Sequence, residues 1–433
     1  MIDPFQIQKQ EFASWTSFIP ESEIRRLLEF DVPHYYGGGK PGMLPTDVFA
    51  RVLIELGTEH LTAITKGNEM SVIDDLNYGP TGGHEFFRRT LANRLREKDG
   101  LDFLDPEEGW RNVIVSTGSQ QALYAILDSL INPGDTIITP RPAYLGFLVP
   151  AVKLGAEIIS VPSDLNGIVP EYVERGIELS KKQLDRTPKI IYVVSDSDNP
   201  KGTTIPEKRR QALFDIAEEH KILIVEDAAY KEIQFQKRYI PIKSLDKENE
   251  RVAFLSSSSK EAVVLRMGYS VMPEALADLV IKDKGFLDLC TPTLVQRILD
   301  FYYSKYLDQA LPALLEEYKR RMDAMTKTMD ETFPHGVRTS PTGGFFIWWE
   351  SEDISFNATK FLEEKAIPND VLYVPGAAFY PIRGYSVIKG NENELVDNIV
   401  NKNTMRLSFS YKDPANIRVG MSILGRLLSR ELD

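Results

Sequence analysis

Lys260 stands directly behind four serines, Ser256 to Ser259, and six residues before Arg266. The apolar run Val252 to Leu255 ahead of them predicts a strand, so the lysine falls just past a strand end. A lysine there is ordinarily solvated. Behind hydroxyls and near a guanidinium it can instead sit in an anion pocket and form an imine with an aldehyde cofactor. The hydroxyls and the guanidinium suit a phosphate.

Other segments with chemical potential also fall at strand ends. Ser116-Thr117-Gly118-Ser119-Gln120 lies between a strand and a helix, where exposed amides hold an anion or simply cap the helix. Tyr144, in Pro140-Arg141-Pro142-Ala143-Tyr144, can stack on a planar ring, although a core tyrosine is the commoner outcome. Asp198-Asn199-Pro200-Lys201-Gly202 carries an Asn-Pro turn signal. Glu226 and Asp227 follow the apolar strand Ile222 to Val225, and buried acids need a cationic partner. A pyridinium nitrogen would serve Asp227, because a carboxylate there keeps the ring able to accept electrons. The glycines of Tyr36-Gly37-Gly38-Gly39-Lys40-Pro41 allow close backbone approach to a ligand, but no Ser or Thr follows Lys40 as in a nucleotide phosphate loop.

The positioning elements are short apolar strands separated by helices. Strands are predicted at Val113 to Val115, Thr136 to Thr139, Ala156 to Val161, Lys189 to Val194, Ile222 to Val225, Val252 to Leu255 and Leu265 to Val271. This rhythm implies an α/β fold with a mostly parallel sheet covered by helices, which binds ligands at the carboxyl ends of its strands. After about residue 272 the pattern changes. Helices at Pro292 to Leu307 and Leu311 to Phe333 precede strands at Gly343 to Trp349 and Thr404 to Phe409 and a helix at Pro414 to Ser429, as in a smaller α+β lobe. The expected division is an N-terminal segment over 1–45, a large domain over 46–310 and a small domain over 311–433. The N-terminal segment shares the small lobe and the substrate pocket.

With 433 residues the chain can bury a large core. Its net charge of −12 argues against a nucleic-acid or anionic-membrane surface. The single cysteine, Cys290, fits a reducing compartment, and no apolar run reaches the ~20 residues of a membrane helix. A cytoplasmic protein is expected. Five well-separated histidines make no metal-ligand spacing.

Taken together, these motifs resemble, in order and over nearly the whole chain, the fold-type-I aminotransferases of class I/II that use pyridoxal 5′-phosphate. Within them the sequence is most similar to the kynurenine/2-aminoadipate aminotransferase group. The resemblance implies that Lys260 is the Schiff-base lysine, that Asp227 pairs with the pyridine nitrogen, and that Tyr230 and Asn199 reach the ring hydroxyl. It makes Tyr144 the stacking aromatic, and Ser119, Gln120, Ser257, Ser259 and Arg266 the phosphate cup, with Gly118 as its turn. Tyr78, in Tyr-Gly-Pro-Thr-Gly-Gly, resembles a tyrosine lent to the phosphate by the neighbouring subunit, which implies a homodimer with shared active sites. Arg406 matches the arginine that grips the substrate α-carboxylate, and Gly39 the glycine whose backbone faces it. Three departures stand out. Arg266 arrives one position early, Ser258 replaces a common Phe, and Asn199-Pro200-Lys201-Gly202 replaces Asn-Pro-Thr-Gly.

The implied activity is transfer of an amino group from an L-amino acid to a 2-oxo acid, with 2-oxoglutarate the expected acceptor and 2-aminoadipate, an aromatic amino acid or glutamate the expected donor. Lys260 moves the α-proton. The same apparatus serves β-lyases and synthases, and some non-catalytic sensors carry it behind a DNA-binding module. Arg25, in Ser22-Glu23-Ile24-Arg25, is the candidate for a distal carboxylate, with Arg26 as fallback. Tyr36, Phe379 and Trp348 are candidate walls for aromatic donors.

Overall fold

The computed structural model describes residues 12–19, 21, 23–27, 29–262 and 265–432. The Ser22 cap and the Val263–Val264 pair between Lys260 and Arg266 lie outside the described residues. The strands, in chain order, are β1 (His34–Tyr35), β2 (Val113–Ser116), β3 (Thr136–Arg141), β4 (Glu157–Asp164), β5 (Gly167–Ile168), β6 (Ile190–Val194), β7 (Leu223–Asp227), β8 (Val252–Ser257) and β9 (Gly268–Val271). They continue with β10 (Gly336–Arg338), β11 (Phe346–Ser351), β12 (Val371–Leu372), β13 (Val374–Pro375), β14 (Gly384–Ile388), β15 (Asn391–Asp397) and β16 (Thr404–Ser408).

The large sheet runs β15-β14-β4-β3-β6-β7-β8-β9-β2, with β5 paired to β4. Its centre is parallel, while β9 is antiparallel to both β8 and β2. Successive side chains face opposite layers. Ile137, Ile158, Ile190 and Val225 enter one core, with the helices Ser119–Leu130, Leu145–Lys153 and Glu274–Leu287. Ile138, Ile159, Ile191 and Ile224 enter the other, with the helices Pro170–Leu184 and Glu207–His220. Two covered faces explain why these strands read as unbroken apolar runs rather than as alternation.

Two strand ends differ from the sequence reading in ways that matter. β7 includes both acids instead of stopping at Val225. The pleat sends Glu226 and Asp227 to opposite faces. Glu226 accepts from the Ile242 and Lys243 backbone N–H groups, each at 2.9 Å, and Asp227 is left for the other side. β9 begins at Gly268, not Leu265, because Arg266 takes a left-handed φ of 43° before the strand starts. The expected break near Leu307 to Leu311 is instead a π-helical turn at Tyr302–Tyr306, where the helix Thr293–Phe301 takes up an extra residue and passes into Leu307–Thr332.

The smaller lobe is the antiparallel sheet β10-β11-β16-β13. Met325, Met329, Ile417, Met421 and Leu424, from the helices Leu307–Thr332 and Pro414–Leu432, share its core. Leu27 and Tyr36 enter that core from the other chain end, and β1 pairs with β12. The expected 311–433 unit is interrupted, however. β14 and β15 leave it and extend the large sheet, with Gly384 opposite Ile158 and Ser386 opposite Ser160. The outer edge of β4 would otherwise be open, and Val387 completes the core below it. Among the described residues no helix is long and apolar enough to cross a membrane.

Candidate active site

The carboxyl ends of β2, β3, β6, β7 and β8 converge on a cavity of about 110 Å³. Ser119 and Gln120 reach it from the helix after β2, Tyr144 from beyond β3, and Asn199 from the loop after β6. Asp227, Tyr230, Ser257, Ser259, Lys260 and Arg266 complete it.

One end of the cavity is built for an anion. Gly118 has a φ of 77°, and a Cβ added there would lie 3.0 Å from the Arg266 guanidinium. The helix Ser119–Leu130 starts at this point, so its first N–H groups face the guanidinium side. The Ser257 and Ser259 hydroxyls are 2.8 Å apart, and Arg266 Nη1 donates to Ser259 Oγ at 3.3 Å. Arg266 thus enters the cup although it comes one residue early. Its backbone is left-handed, which is uncommon outside glycine. Gln120 braces the wall: its Nε2 donates to the Gly146 carbonyl at 2.6 Å, and Tyr144 Oη–H donates to its Oε1 at 3.2 Å.

At the other end Asp227 is buried, accepting from the Ala229 backbone N–H at 3.1 Å and from Tyr192 Oη–H at 3.2 Å. Burial pushes its pKa up to about 6, against the pull of these two donors and of Lys260. Among the described residues no ion-pair partner holds it. Lys260 Nζ lies 4.7 Å from the Tyr230 ring centre, and withdrawal from water lowers its pKa. A less basic amine is a better nucleophile and base near neutrality.

Arg406, on β16, is almost fully buried. It donates to Asn199 Oδ1 at 2.7 Å and to the Gly37 carbonyl, its Nε is unpartnered, and Phe346 and Phe379 flank its guanidinium at 4.3 and 4.8 Å. Burial lowers its pKa to about 10, so it stays charged at neutral pH. No carboxylate among the described residues pairs with it.

The structure therefore gathers Ser119, Gln120, Tyr144, Asn199, Asp227, Tyr230, Ser257, Ser259, Lys260 and Arg266 around one cavity, with Gly118 behind the cup and Arg406 joined through Asn199. The remaining candidates are placed elsewhere in this chain. Gly39 packs against Phe346, 2.6 Å from where its Cβ would stand, and the carbonyl of Gly37 meets Arg406 instead. Tyr78 is 81% exposed and lines a separate outer cleft with His84 and Arg297. Arg25 is exposed and outside the cavity, and Arg26 is tied to Glu23 and Glu363 at 2.7 and 3.1 Å. Tyr36 is no pocket wall: it is a core residue whose hydroxyl donates to the Asn416 carbonyl at 2.9 Å. Trp348, also buried, lies behind Phe379 at 6.0 Å.

Beyond Gln120 and Gly146 lies a mainly apolar groove of about 310 Å³, with Leu145, Val149 and Ile382 on its walls and Glu21 and Glu23 at its border. The departures around Asn199 are structural. The Asp198 carboxylate accepts from Thr203 N–H and Oγ1–H at 2.8 and 3.0 Å, and Lys201 Nζ donates to the Asp164 carbonyl at 3.0 Å. Val194, Ala229 and Gly37 carried no chemical signal in the sequence beyond the triple glycine.

Residues 61–419 match the family described as aminotransferase class I and II. The chain is 33% identical over 422 residues to aromatic-amino-acid aminotransferase 1 of Thermococcus litoralis, covering 95% of this chain and 92% of that protein. It is 30% identical over 335 residues to the mitochondrial kynurenine/alpha-aminoadipate aminotransferase of Rattus norvegicus, covering 75% of each. The structure superposes on a Pyrococcus horikoshii kynurenine aminotransferase, crystallised with PMP, kynurenine and its product, with a TM-score of 0.84 and 30% identity over 98% of both chains.

Proposed function

This chain belongs to the class I and II aminotransferases and transfers amino groups with pyridoxal 5′-phosphate; we propose that Lys260, Asp227, Tyr230, Asn199 and Arg406 carry the reaction and that the donor is a large apolar or aromatic L-amino acid. The observation that carries this reading is Arg406. A buried guanidinium with an orphaned Nε and no carboxylate beside it is costly unless a ligand supplies the anion.

The residues fit the cofactor. Asp227 is a buried carboxylate that lacks a cation, and the pocket made by Gly118, Ser119, Ser257, Ser259 and Arg266 would hold a phosphate. When bound, pyridoxal phosphate supplies an aldehyde carbon that carries the amino group and a ring that withdraws electrons. Asp227 would hold the ring nitrogen protonated, Tyr230 and Asn199 would meet its hydroxyl, and Tyr144 would cover its face. Arg406 orients the substrate through its α-carboxylate, so that the Cα–H lies towards Lys260. Lys260 Nζ takes the proton from Cα and would deliver it to the cofactor carbon that carries the amino group, and its lowered basicity keeps a fraction of it uncharged. Phe346 and Phe379 exclude water from the carboxylate site.

The apolar groove beyond Gln120 supports the choice of donor, as does the likeness to an aromatic aminotransferase. The acceptor is 2-oxoglutarate, with Arg25 meeting its distal carboxylate when the N-terminal segment covers the site. Single-turnover mixing of the coloured enzyme with a panel of amino acids tests both ends. Aromatic and large aliphatic donors should react fastest. Arg406→Ala should slow every donor by at least about a hundredfold, as expected for ~3 kcal/mol lost from a buried charge contact. Arg25→Ala should slow only dicarboxylic substrates, roughly tenfold to a hundredfold for ~1.5–3 kcal/mol. A panel in which dicarboxylic donors alone react would refute the apolar-donor reading.

The working unit is a cytoplasmic homodimer. Ile54, Leu61, Met70 and Leu76 on the helices Thr46–Thr65 and Glu69–Leu76 are 64–69% exposed, beside Tyr78. Large apolar side chains exposed to this extent suit a second copy of the chain. Tyr78 then completes the phosphate site of the partner. Mixing Tyr78→Ala with Lys260→Ala and allowing subunits to exchange should restore activity above that of Tyr78→Ala alone. A fully active monomer would contradict the shared site.

A further inference from the structure

Tyr192 is fully buried on β6, yet the chemistry above gives its hydroxyl no part. The register shows where that hydroxyl goes. β6 and β7 run parallel, with Tyr192 opposite Val225 and Val194 opposite Asp227, so all four side chains share one face of the sheet. Tyr192 stands one pair back from Asp227 on the neighbouring strand, a diagonal that the length of a tyrosine spans. Its Oη–H donates to Asp227 Oδ2 at 3.2 Å. Phe147, from the helix Leu145–Lys153, stacks on the tyrosine ring with centres 3.8 Å apart and planes 5° apart.

The ring alone would satisfy the packing. Phe147, Val194 and Val225 belong to the same apolar core, and a phenylalanine would fill the space of the tyrosine. A buried hydroxyl is costly unless it has a partner, and among the described residues its acceptor is Asp227. This bond complements that of the Ala229 N–H, which goes to Asp227 Oδ1 at 3.1 Å. Each carboxylate oxygen thus has one donor, and the two donors come from different elements. They fix the rotation of the carboxylate and leave acceptor capacity on both oxygens for a ligand. The titratable groups that face the pair are Tyr144 beyond β3, Asp198 beyond β6, Tyr230 beyond β7 and Lys260 beyond β8. Burial pushes the Asp227 pKa up, and the Ala229 N–H, the Tyr192 hydroxyl and the Lys260 charge oppose the rise.

We propose that Tyr192 is a positioning residue for amino transfer: its hydroxyl fixes the Asp227 carboxylate in one orientation and holds it ionised against the cofactor ring nitrogen. The proposal rests on the assignment of Asp227 to that nitrogen. One proton is shared by the two groups. It is on the nitrogen when Asp227 is a carboxylate and on Asp227 when that group is a neutral acid. A donor to the carboxylate favours its charged form and so leaves the proton on the ring. Without that donor the proton moves towards Asp227, the ring withdraws electrons less, and the Cα proton leaves more slowly. Tyr192 acts through Asp227 and not on the reacting atoms.

Nitrogen NMR of the holoenzyme, loaded with pyridoxal phosphate isotopically labelled at the ring nitrogen, reads where the proton lies. Tyr192→Phe keeps the ring stacked on Phe147 and removes only the hydroxyl. At neutral pH its nitrogen signal should move from the protonated towards the unprotonated position. In single-turnover mixing, removal of the α-proton should slow by roughly tenfold, as for one lost hydrogen bond to a charged group, while KM in steady-state turnover stays nearly unchanged. Neither change should appear in the Asp227→Asn background, where there is no charge to hold. An unmoved signal in Tyr192→Phe, or the same loss of rate in both backgrounds, overturns the proposal. Should Tyr192→Phe fail to bind cofactor, Phe147→Leu takes its place. That variant keeps the hydroxyl but frees the ring that aims it, and should move the signal the same way by less. An unmoved signal there also overturns the proposal. A signal that stays fully protonated in Asp227→Asn would instead refute the assignment of Asp227, independently of Tyr192.

Discussion

Lys260→Ala is expected to lose turnover by about 10⁴-fold or more, equivalent to ~5.5 kcal/mol of transition-state stabilisation. The size of the effect follows from position. Among the described residues Lys260 is the only amine lining the cavity, and Tyr230, Asn199 and Asp227 surround the same space. A solvent base has little access to an α-carbon enclosed there, and the covalent hold on the cofactor is lost along with the base. Borohydride reduction of the wild-type enzyme should fix the cofactor to the peptide containing Lys260, and peptide mapping reads the site. A label on any other lysine, or near-normal turnover in the alanine variant, would remove Lys260 from the mechanism.

The second large effect belongs to Asp227. Asp227→Ala should retain bound cofactor through the phosphate cup but slow α-proton removal by roughly 10²–10⁴-fold, measured by single-turnover mixing with an α-deuterated donor. The carboxylate is buried, with only Tyr192 and the Ala229 N–H for company, so no nearby group replaces its charge. Asp227→Asn removes the charge and keeps the shape, and should be nearly as slow. A rate of proton removal near that of the wild type in either variant would leave Asp227 without an electronic role.

The site was legible in the sequence where a polar residue stood at the end of an apolar strand. Lys260, Asp227, Asn199 and Ser119 could be read this way because each interrupts a pattern whose burial is certain. Strand boundaries were less legible for the same reason. Glu226 and Asp227 look like the end of a strand, but β7 carries both because backbone amides at Ile242 and Lys243 satisfy Glu226. Those partners are 16 and 17 residues away in sequence. Arg266 shows the converse limit. Counting residues placed it one position short, yet its guanidinium reaches Ser259. Gly37 could not be told from Gly39, because three glycines in a row differ only in what packs against them. Arg25 and Tyr78 are exposed and lie outside the cavity in this chain, which their spacing in the sequence does not reveal.

The excursion of β14 and β15 has a consequence for how the protein is made. A ribosome delivers the strands of the large sheet in order, but β4 emerges more than 200 residues before its outer neighbour β14. Until then the β4 edge presents unpaired N–H and C=O groups, a template for the wrong partner. The smaller lobe waits as well, because β1 must hold for β12 at Val371–Leu372. A nascent chain stopped at residue 376 would lack β14 and β15 from the large sheet and β16 from the smaller one, and so would carry two incomplete sheets. Pairing at these two edges therefore rests on contacts far apart in sequence, which slow folding and lengthen the interval in which an open edge is exposed.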